Sequence, residues 1–204
     1  MLLGSLSDIT QQCAPTTCPV HDKLIRVQHE SRRVNQDLIH LLTLYRIDKS
    51  QYLLNITENM LIHFLEEIID ENEAVLSGYG INMQLECPDN VTAFFDLELV
   101  SGVINTIINN SYRYTQDIIK ISCTNENNYT VISIEDNGPC YPDHMLSENI
   151  SSTEGIDHAT GSTGLGLYFA SRVAGLHKNK TAYGYTVTSN TGISGGGKFS
   201  IFLP

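Results

Sequence analysis

The chain is short of positive charge and of long apolar runs. Its 204 residues carry 12 Lys and Arg against 23 Asp and Glu, a formal net charge of −11 and a pI near 4.9. Such a field repels nucleic acid and anionic membrane surfaces, so neither is expected as a partner. An anion that does bind must be held locally, by backbone N–H groups and a few basic side chains. No run of 18 apolar residues occurs, so no segment is expected to span a bilayer. The opening MLLGSLSDITQQC has no basic stretch ahead of its short apolar patch, which argues against a signal peptide. Cysteine is scarce and scattered: Cys13, Cys18, Cys87, Cys123 and Cys140 are odd in number and suit a reducing compartment. Cys13 and Cys18 have only His21 beside them, too few ligands for zinc. These absences point to a cytoplasmic chain, or to the cytoplasmic part of a longer, membrane-attached protein. A 41% hydrophobic content is enough for one packed domain and an extra element.

What is present begins with helical periodicity. Leu2, Leu3, Leu6 and Ile9 suggest a short amphipathic helix that ends before the breaker segment CAPTTCPV. Over residues 22–46, Leu24, Val27, Ser31, Val34, Leu38, Leu41 and Tyr45 step by 3 and 4 alternately, the seam of a coiled coil or four-helix bundle. One short neighbour cannot bury that seam, and a second copy of the chain is the expected partner. The two arms of this hairpin are unequal, about seven turns against barely three. The expectation is that a matching first arm begins about ten or more residues upstream of Met1.

Residues 55–58 read as a helix start, with Thr57 or Asn55 as the N-cap, ahead of an apolar stripe of Met60, Leu61, Phe64, Leu65, Ile68 and Ile69. Gly78 and Gly80 should end that helix, and the acidic residues Glu66, Glu67, Asp70, Glu71 and Glu73 should form its solvated face. Alternation predicts a strand over 81–87 and a second over 91–95, after which Asp96 is placed to cap a helix. In that helix Val100, Val103, Ile104, Ile107 and Ser111 make the buried face, while Thr106, Asn110 and Arg113 share another stripe. An amide oxygen is a serviceable magnesium ligand and an arginine a serviceable phosphate clamp.

Two strands over 118–124 and 129–135, joined by the turn NENN, deliver Asp136-Asn137-Gly138-Pro139. This reads equally as a plain turn or as a carboxylate on rigid backbone beside a glycine that admits a flat ring. A carboxylate only accepts hydrogen bonds, which matches the exocyclic amine of adenine. Residues 139–160 are polar and aperiodic, as in a functional lid or a disordered segment. They end in GSTGLGL, residues 161–167, running into the helical pattern Leu165, Phe169, Val173, Leu176. Glycines at a helix N-terminus expose N–H groups suited to phosphate.

In order and spacing, NNSYRYT, DNGP and GSTGLGL resemble the Asn box and the two glycine boxes of sensor histidine kinase catalytic domains, within the ATPase class that includes DNA gyrase. GGGKFSIFLP resembles the closing strand of that domain, and HLLTLYRIDKSQY the end of the dimerisation and histidine-phosphotransfer hairpin. The resemblance implies an α+β chain: a two-layer α/β sandwich, with a mixed sheet under three helices (the Bergerat ATP-binding fold), over residues 53–204, preceded by a helical hairpin over residues 1–52. It implies ATP and magnesium as ligands and a response regulator receiver domain as partner. Asn110 would coordinate magnesium, Arg113 reach the phosphates, Tyr114 lie near the nucleotide, Asp136 read adenine and Gly138 give the ring room. Gly161, Ser162, Thr163, Gly164, Leu165, Gly166 and Leu167 would shape the triphosphate cradle.

Three departures stand out. Thr106 occupies a position where these kinases often carry Asn and gyrase-like ATPases Glu, and without a carboxylate there is no evident base for water. No Phe-rich box precedes the second glycine box. His29-Glu30-Ser31-Arg32 imitates the phosphoacceptor motif but falls on the second arm, so the acceptor histidine is expected upstream of Met1. His21, His40, His63, His144, His158 and His177 read as incidental. The sequence thus favours an ATP-dependent protein-histidine kinase core; the alternatives are an inactive dimeric phosphotransfer or scaffold protein of the same fold and a gyrase-like ATPase.

Overall fold

The computed structural model describes residues 21–146 and 164–204. The helix read over residues 2–9, most of the aperiodic segment, and Gly161, Ser162 and Thr163 lie outside the described residues. The chain divides into two compact units, Met1–Tyr52 and Leu53–Pro204.

In the first unit, helix α1 spans His21–Asp48. The seam residues Val27, Val34, Leu38, Leu41 and Tyr45 are 50–63% exposed in the single chain. The buried positions fall on a different stripe, at His40 and Leu44. His40 is a buried histidine: Gln36 Nε2 lies 3.2 Å from its ring nitrogen, and burial pushes its pKa down to about 4.

The second unit corrects the sequence reading at its start. Residues 56–60 are not a helix cap but a strand, β1 (Ile56–Met60), paired antiparallel with β3 (Thr92–Asp96). Neither Thr57 nor Asn55 caps a helix. Helix α2 (Leu61–Gly78) follows β1 without a side-chain cap, and Met60 is 44% exposed instead of joining the apolar stripe. ITENM does not alternate apolar residues, so only its long-range partner makes it a strand. The rest of the stripe is as expected: Leu61, Phe64, Leu65 and Ile68 are buried, and the acidic residues from Glu66 to Glu73 face solvent. Gly78 ends α2, and Gly80 turns the chain with φ +72.

The main sheet has five strands in the order β2-β4-β5-β9-β8. These are β2 (Asn82–Glu86), β4 (Ile118–Glu126), β5 (Tyr129–Asp136), β8 (Tyr185–Ser189) and β9 (Lys198–Leu203). Only β2 and β4 run parallel, so the sheet is mixed. The β4–β5 turn is Asn127-Asn128, both at positive φ, as a two-residue hairpin requires. Short strands β6 (Lys178–Asn179) and β7 (Ala182–Tyr183) pair ahead of β8, a region the sequence reading left without strands.

Helices α2, α3 (Leu97–Ser111) and α4 (Leu165–Leu176) cover one face of the sheet. Ile119, Ile121, Ile132, Ile134, Phe199 and Ile201 point into that layer and are at most 2% exposed. The period-two alternation sends Lys120, Glu135 and Lys198 to the other face, where Glu135 lies 3.7 Å from Lys120 and 3.1 Å from Lys198. One residue beyond the Glu86–Ser122 pair, Cys87 and Cys123 are joined as a disulfide with Cα atoms 5.1 Å apart. This differs from the expectation of reduced, scattered thiols: 36 residues apart in sequence, they become neighbours because β2 lies parallel to β4.

Candidate functional site

Asp96 opens α3 as its sequence context requires. Its Oδ1 accepts the Leu99 N–H at 3.0 Å, and its Oδ2 accepts the Asn55 N–H at 2.9 Å. The Asp96 N–H donates to Nε2 of buried His177 at 3.0 Å, and the Nδ1–H of His177 donates to the Val173 carbonyl at 2.8 Å. His177 thus ties the end of α4 to the start of α3, a role its sequence context did not signal. Burial lowers its pKa, opposed by the Val173 carbonyl and Asp96.

Helix α3 ends at Ser111, so Arg113 does not extend the stripe of Thr106 and Asn110. Arg113 and Tyr114 lie in the turn that follows, both exposed. A hydrogen-bonded turn from Ser111 to Thr115 explains the early stop: the Tyr114 and Thr115 N–H groups both donate to the Ser111 carbonyl. Thr106 is buried, and its hydroxyl donates to the Gly102 carbonyl at 2.6 Å. Asn110 is exposed at the end of the helix.

Asp136, at the end of β5, is only 6% exposed. Its Oδ1 accepts the Gly138 N–H at 2.8 Å, and the Ser111 hydroxyl and Gly197 also bond to the carboxylate. Burial raises its pKa, and these three hydrogen bonds pull it back. Burial and the Asp136 charge together raise the pKa of Tyr141. Gly138 leaves no room for a side chain, since a Cβ there would run into the Tyr114 carbonyl. Asn137 fixes this corner. Its Oδ1 accepts from the Thr115 hydroxyl at 2.8 Å and from the N–H groups of Gln116, Asp117 and Ile118 at 3.1, 3.2 and 3.2 Å. Its Nδ2 donates to Asp117 at 2.7 Å.

Helix α4 starts at Gly164, which adopts φ +61, and Leu165 and Leu167 are partly buried in its first turn. Gly166 lies against α3: a Cβ there would stand 2.8 Å from Thr106 Cγ2 and 3.3 Å from Asn110 Nδ2. The end of α3 therefore touches both other motifs, through Ser111 to Asp136 and through Asn110 to Gly166. Asn110, Tyr114, Asp136, Gly138, Gly164, Leu165, Gly166 and Leu167 gather around that helix end, with Arg113 beside them in the turn. Ser111, Asn137, Tyr141 and Gly197 were not anticipated there. The triplet Gly195-Gly196-Gly197 ahead of β9 was the signal for the last: a Cβ on Gly197 would stand 3.1 Å from Asp136 Oδ2.

A helix-covered mixed sheet that ends a buried aspartate beside an amide-bearing helix and a glycine-started helix defines the Bergerat class of ATP-binding fold. Residues 96–204 match the family described as histidine kinase-, DNA gyrase B-, and HSP90-like ATPase. The sensor protein RstB of Escherichia coli is 27% identical over 186 residues, covering 86% of this chain and 41% of RstB. The Acinetobacter baumannii histidine kinase AdeS superposes with a TM-score of 0.65 at 20% identity, covering 99% of this chain and 92% of that one. Full-length ShkA in complex with AMPPNP superposes with a TM-score of 0.67 at 15% identity, covering 90% of this chain and 38% of that one. The chain belongs to the histidine kinase-, DNA gyrase B- and HSP90-like ATPase family. It spans less than half the length of RstB. No described helix is long and apolar enough to cross a membrane.

Proposed function

We propose that the chain is the ATP-binding core of a two-component sensor kinase, which transfers the γ-phosphoryl group of ATP to a histidine on a dimerisation hairpin and thence to a response regulator aspartate. The observation that carries this reading is the double contact of the α3 end, Ser111 with Asp136 and Asn110 with Gly166. The donor set suits the ligand. Asp136 is a buried acceptor for the adenine amine, and Gly138 keeps the adjacent surface flat. Asn110 presents a hard amide oxygen suited to magnesium, and Arg113 supplies positive charge for phosphate. Gly164 starts α4, and the N–H groups and positive dipole end of that helix N-terminus suit the phosphates, continuing through Leu165, Gly166 and Leu167. Gly161, Ser162 and Thr163 precede them in the same motif. Magnesium, when bound, neutralises charge on the phosphates; the protein's own work is positioning.

Phosphotransfer is favoured over steady hydrolysis by Thr106. It lies one helical turn before Asn110, where a water-activating carboxylate would stand, and its hydroxyl is engaged by its own helix at 2.6 Å. Dimerisation through residues 1–52 is supported by the half-exposed seam of Val27, Val34, Leu38, Leu41 and Tyr45. His29 lies within α1, and on this reading it is not the phosphoacceptor.

The test is labelled ATP added to this chain alone, to its His29→Ala variant, and to a version extended at its N-terminus. Acid-labile, base-stable phosphate is expected on the extended version and on neither of the others. Steady release of inorganic phosphate without phosphohistidine would assign the chain to the ATPase motors, and absence of magnesium-dependent ATP binding would make it a scaffold.

A further inference from the structure

The disulfide lies outside the site, yet it closes a ring around it. Residues 87–123 contain β3, all of α3 and the turn after it, so Asn110, Arg113 and Tyr114 lie on the loop that the Cys87–Cys123 bond closes. One end of the loop is β2, an edge strand that pairs in parallel with β4, with Glu86 3.4 Å from Lys120, and packs against α2. The other end is β4, whose Ile119 pairs with Asp136. The two sulfurs are unequally placed. Cys123 is 3% exposed in the helix-covered layer, whereas Cys87 is partly exposed and its Sγ lies 3.7 Å from the Pro88 carbonyl at the surface. The cleft of about 460 Å³ that borders these residues is lined mainly from the opposite face of the sheet, by Glu86, Lys120, Ser122, Thr124 and Glu135, so an incoming molecule meets the pair at the partly exposed Cys87.

We propose that Cys87 and Cys123 form a thiol–disulfide exchange site through which a small-molecule thiol sets the nucleotide affinity of the domain. This rests on the reading of the α3 end as the nucleotide site. A thiolate attacks Cys87 Sγ, the more exposed sulfur. The new S–S bond forms as the Cys87–Cys123 bond breaks, and Cys123 leaves with the electron pair and takes a proton from water. A second thiolate then attacks the incoming sulfur, releasing Cys87 as a thiol and one molecule of small disulfide. Two small thiols are oxidised and one protein disulfide is reduced, so the exchange balances, and the small disulfide drives it in reverse. With the ring closed, both ends of the Asn110 segment are anchored and the site is preorganised. With the ring open, β2 frays as an edge strand and nucleotide binding must order the segment again.

The experiment uses the full chain, oxidised or reduced with a monothiol, with peptide mass mapping after alkylation and calorimetric titration with magnesium ADP. The oxidised protein is expected to yield one linked peptide pair containing Cys87 and Cys123, and partial exchange is expected to place the monothiol on Cys87. Reduction is expected to weaken magnesium ADP by about fivefold or more, within the ordinary range of coupling between sites. Cys87→Ser is expected to show the reduced affinity in both conditions, and Cys140→Ser to keep the difference. Should Cys87→Ser fail to fold, the wild-type comparison and the mass map still decide. Free Cys87 and Cys123 in the oxidised protein, or equal affinities in the two states, would overturn the proposal. No binding in either state would bring down the nucleotide reading and this proposal with it.

Discussion

Gly166 on α4 packs against Asn110 on α3 with no space for a methyl group between them: a Cβ would sit 3.3 Å from the Asn110 amide nitrogen and 2.8 Å from Thr106 Cγ2. The third glycine of the box is thus a packing residue for two helices as well as part of the proposed phosphate cradle. Gly166→Ala is expected to push α4 from α3 and to destabilise the domain by about 1–3 kcal/mol, the ordinary cost of overpacking. Thr106→Ser removes the closer methyl, so the double variant should recover most of that loss. Urea unfolding of the two single variants and the pair checks this; additive losses would contradict it.

Asn137 holds the turn that carries Asp136. Its side-chain oxygen accepts four hydrogen bonds from residues 115–118. Each net bond contributes about 0.5–1.5 kcal/mol, and these donors are partly solvated, so Asn137→Ala should cost about 2 kcal/mol. Hydrogen exchange at Gln116, Asp117 and Ile118 should speed up in the variant. Unchanged exchange there would show that the turn stands without it.

His177 gives the domain a defined acid response. Its pKa is lowered in the folded state, so above the unfolded value of 6.5 both states are neutral and its contribution is whole. As pH falls below 6.5 toward the depressed value, the unfolded chain takes up a proton first and stability drops, by at most about 1.4 kcal/mol per pH unit. The stability difference between wild type and His177→Gln should therefore be constant above pH 6.5 and shrink below it. A difference that stays constant into acid would exclude protonation of His177 as the cause.

Asp136 responds with the opposite sign. Its raised pKa means that the folded state accepts a proton before the unfolded one, so acid relieves its burial and adds stability. Nucleotide affinity should run the other way. Once protonated, the carboxyl is a poorer acceptor for adenine, and ADP binding should weaken at a higher pH than an ordinary aspartate with its value near 3.8 would give. Titrations across the acid range in wild type and Asp136→Asn check this, and an identical pH profile in the two proteins would contradict it.

Much of this was legible in the sequence wherever local chemistry decides. Asp96 caps α3 because an aspartate before an apolar helical pattern has N–H groups to accept, and Gly164 starts α4 because a glycine adopts positive φ freely. The β4–β5 hairpin was readable from its alternation and its Asn-rich turn. What escaped was settled at long range. ITENM carries no strand pattern and becomes β1 by pairing with β3, some 36 residues on. Cys87 and Cys123 meet through a parallel pairing that no local pattern announces, and Arg113 leaves the helical stripe because the chain turns at Ser111. Asn137 looked like one residue of a plain turn, and its four donors come from a segment 19 to 22 residues earlier.

The central claim, that Asn110, Asp136 and the glycine-started helix serve one nucleotide, is tested most directly by calorimetric titration with ADP, with and without magnesium, of wild type, Asn110→Ala and Asp136→Asn. Loss of a charge-assisted bond worth about 1.5–3 kcal/mol should weaken ADP roughly 10- to 100-fold in Asp136→Asn, whether or not the metal is present. Asn110→Ala should bind as wild type without magnesium and lose only the part of the affinity that magnesium adds. An Asp136→Asn variant that binds ADP as wild type, or an Asn110→Ala variant that keeps the full magnesium effect, would contradict the account.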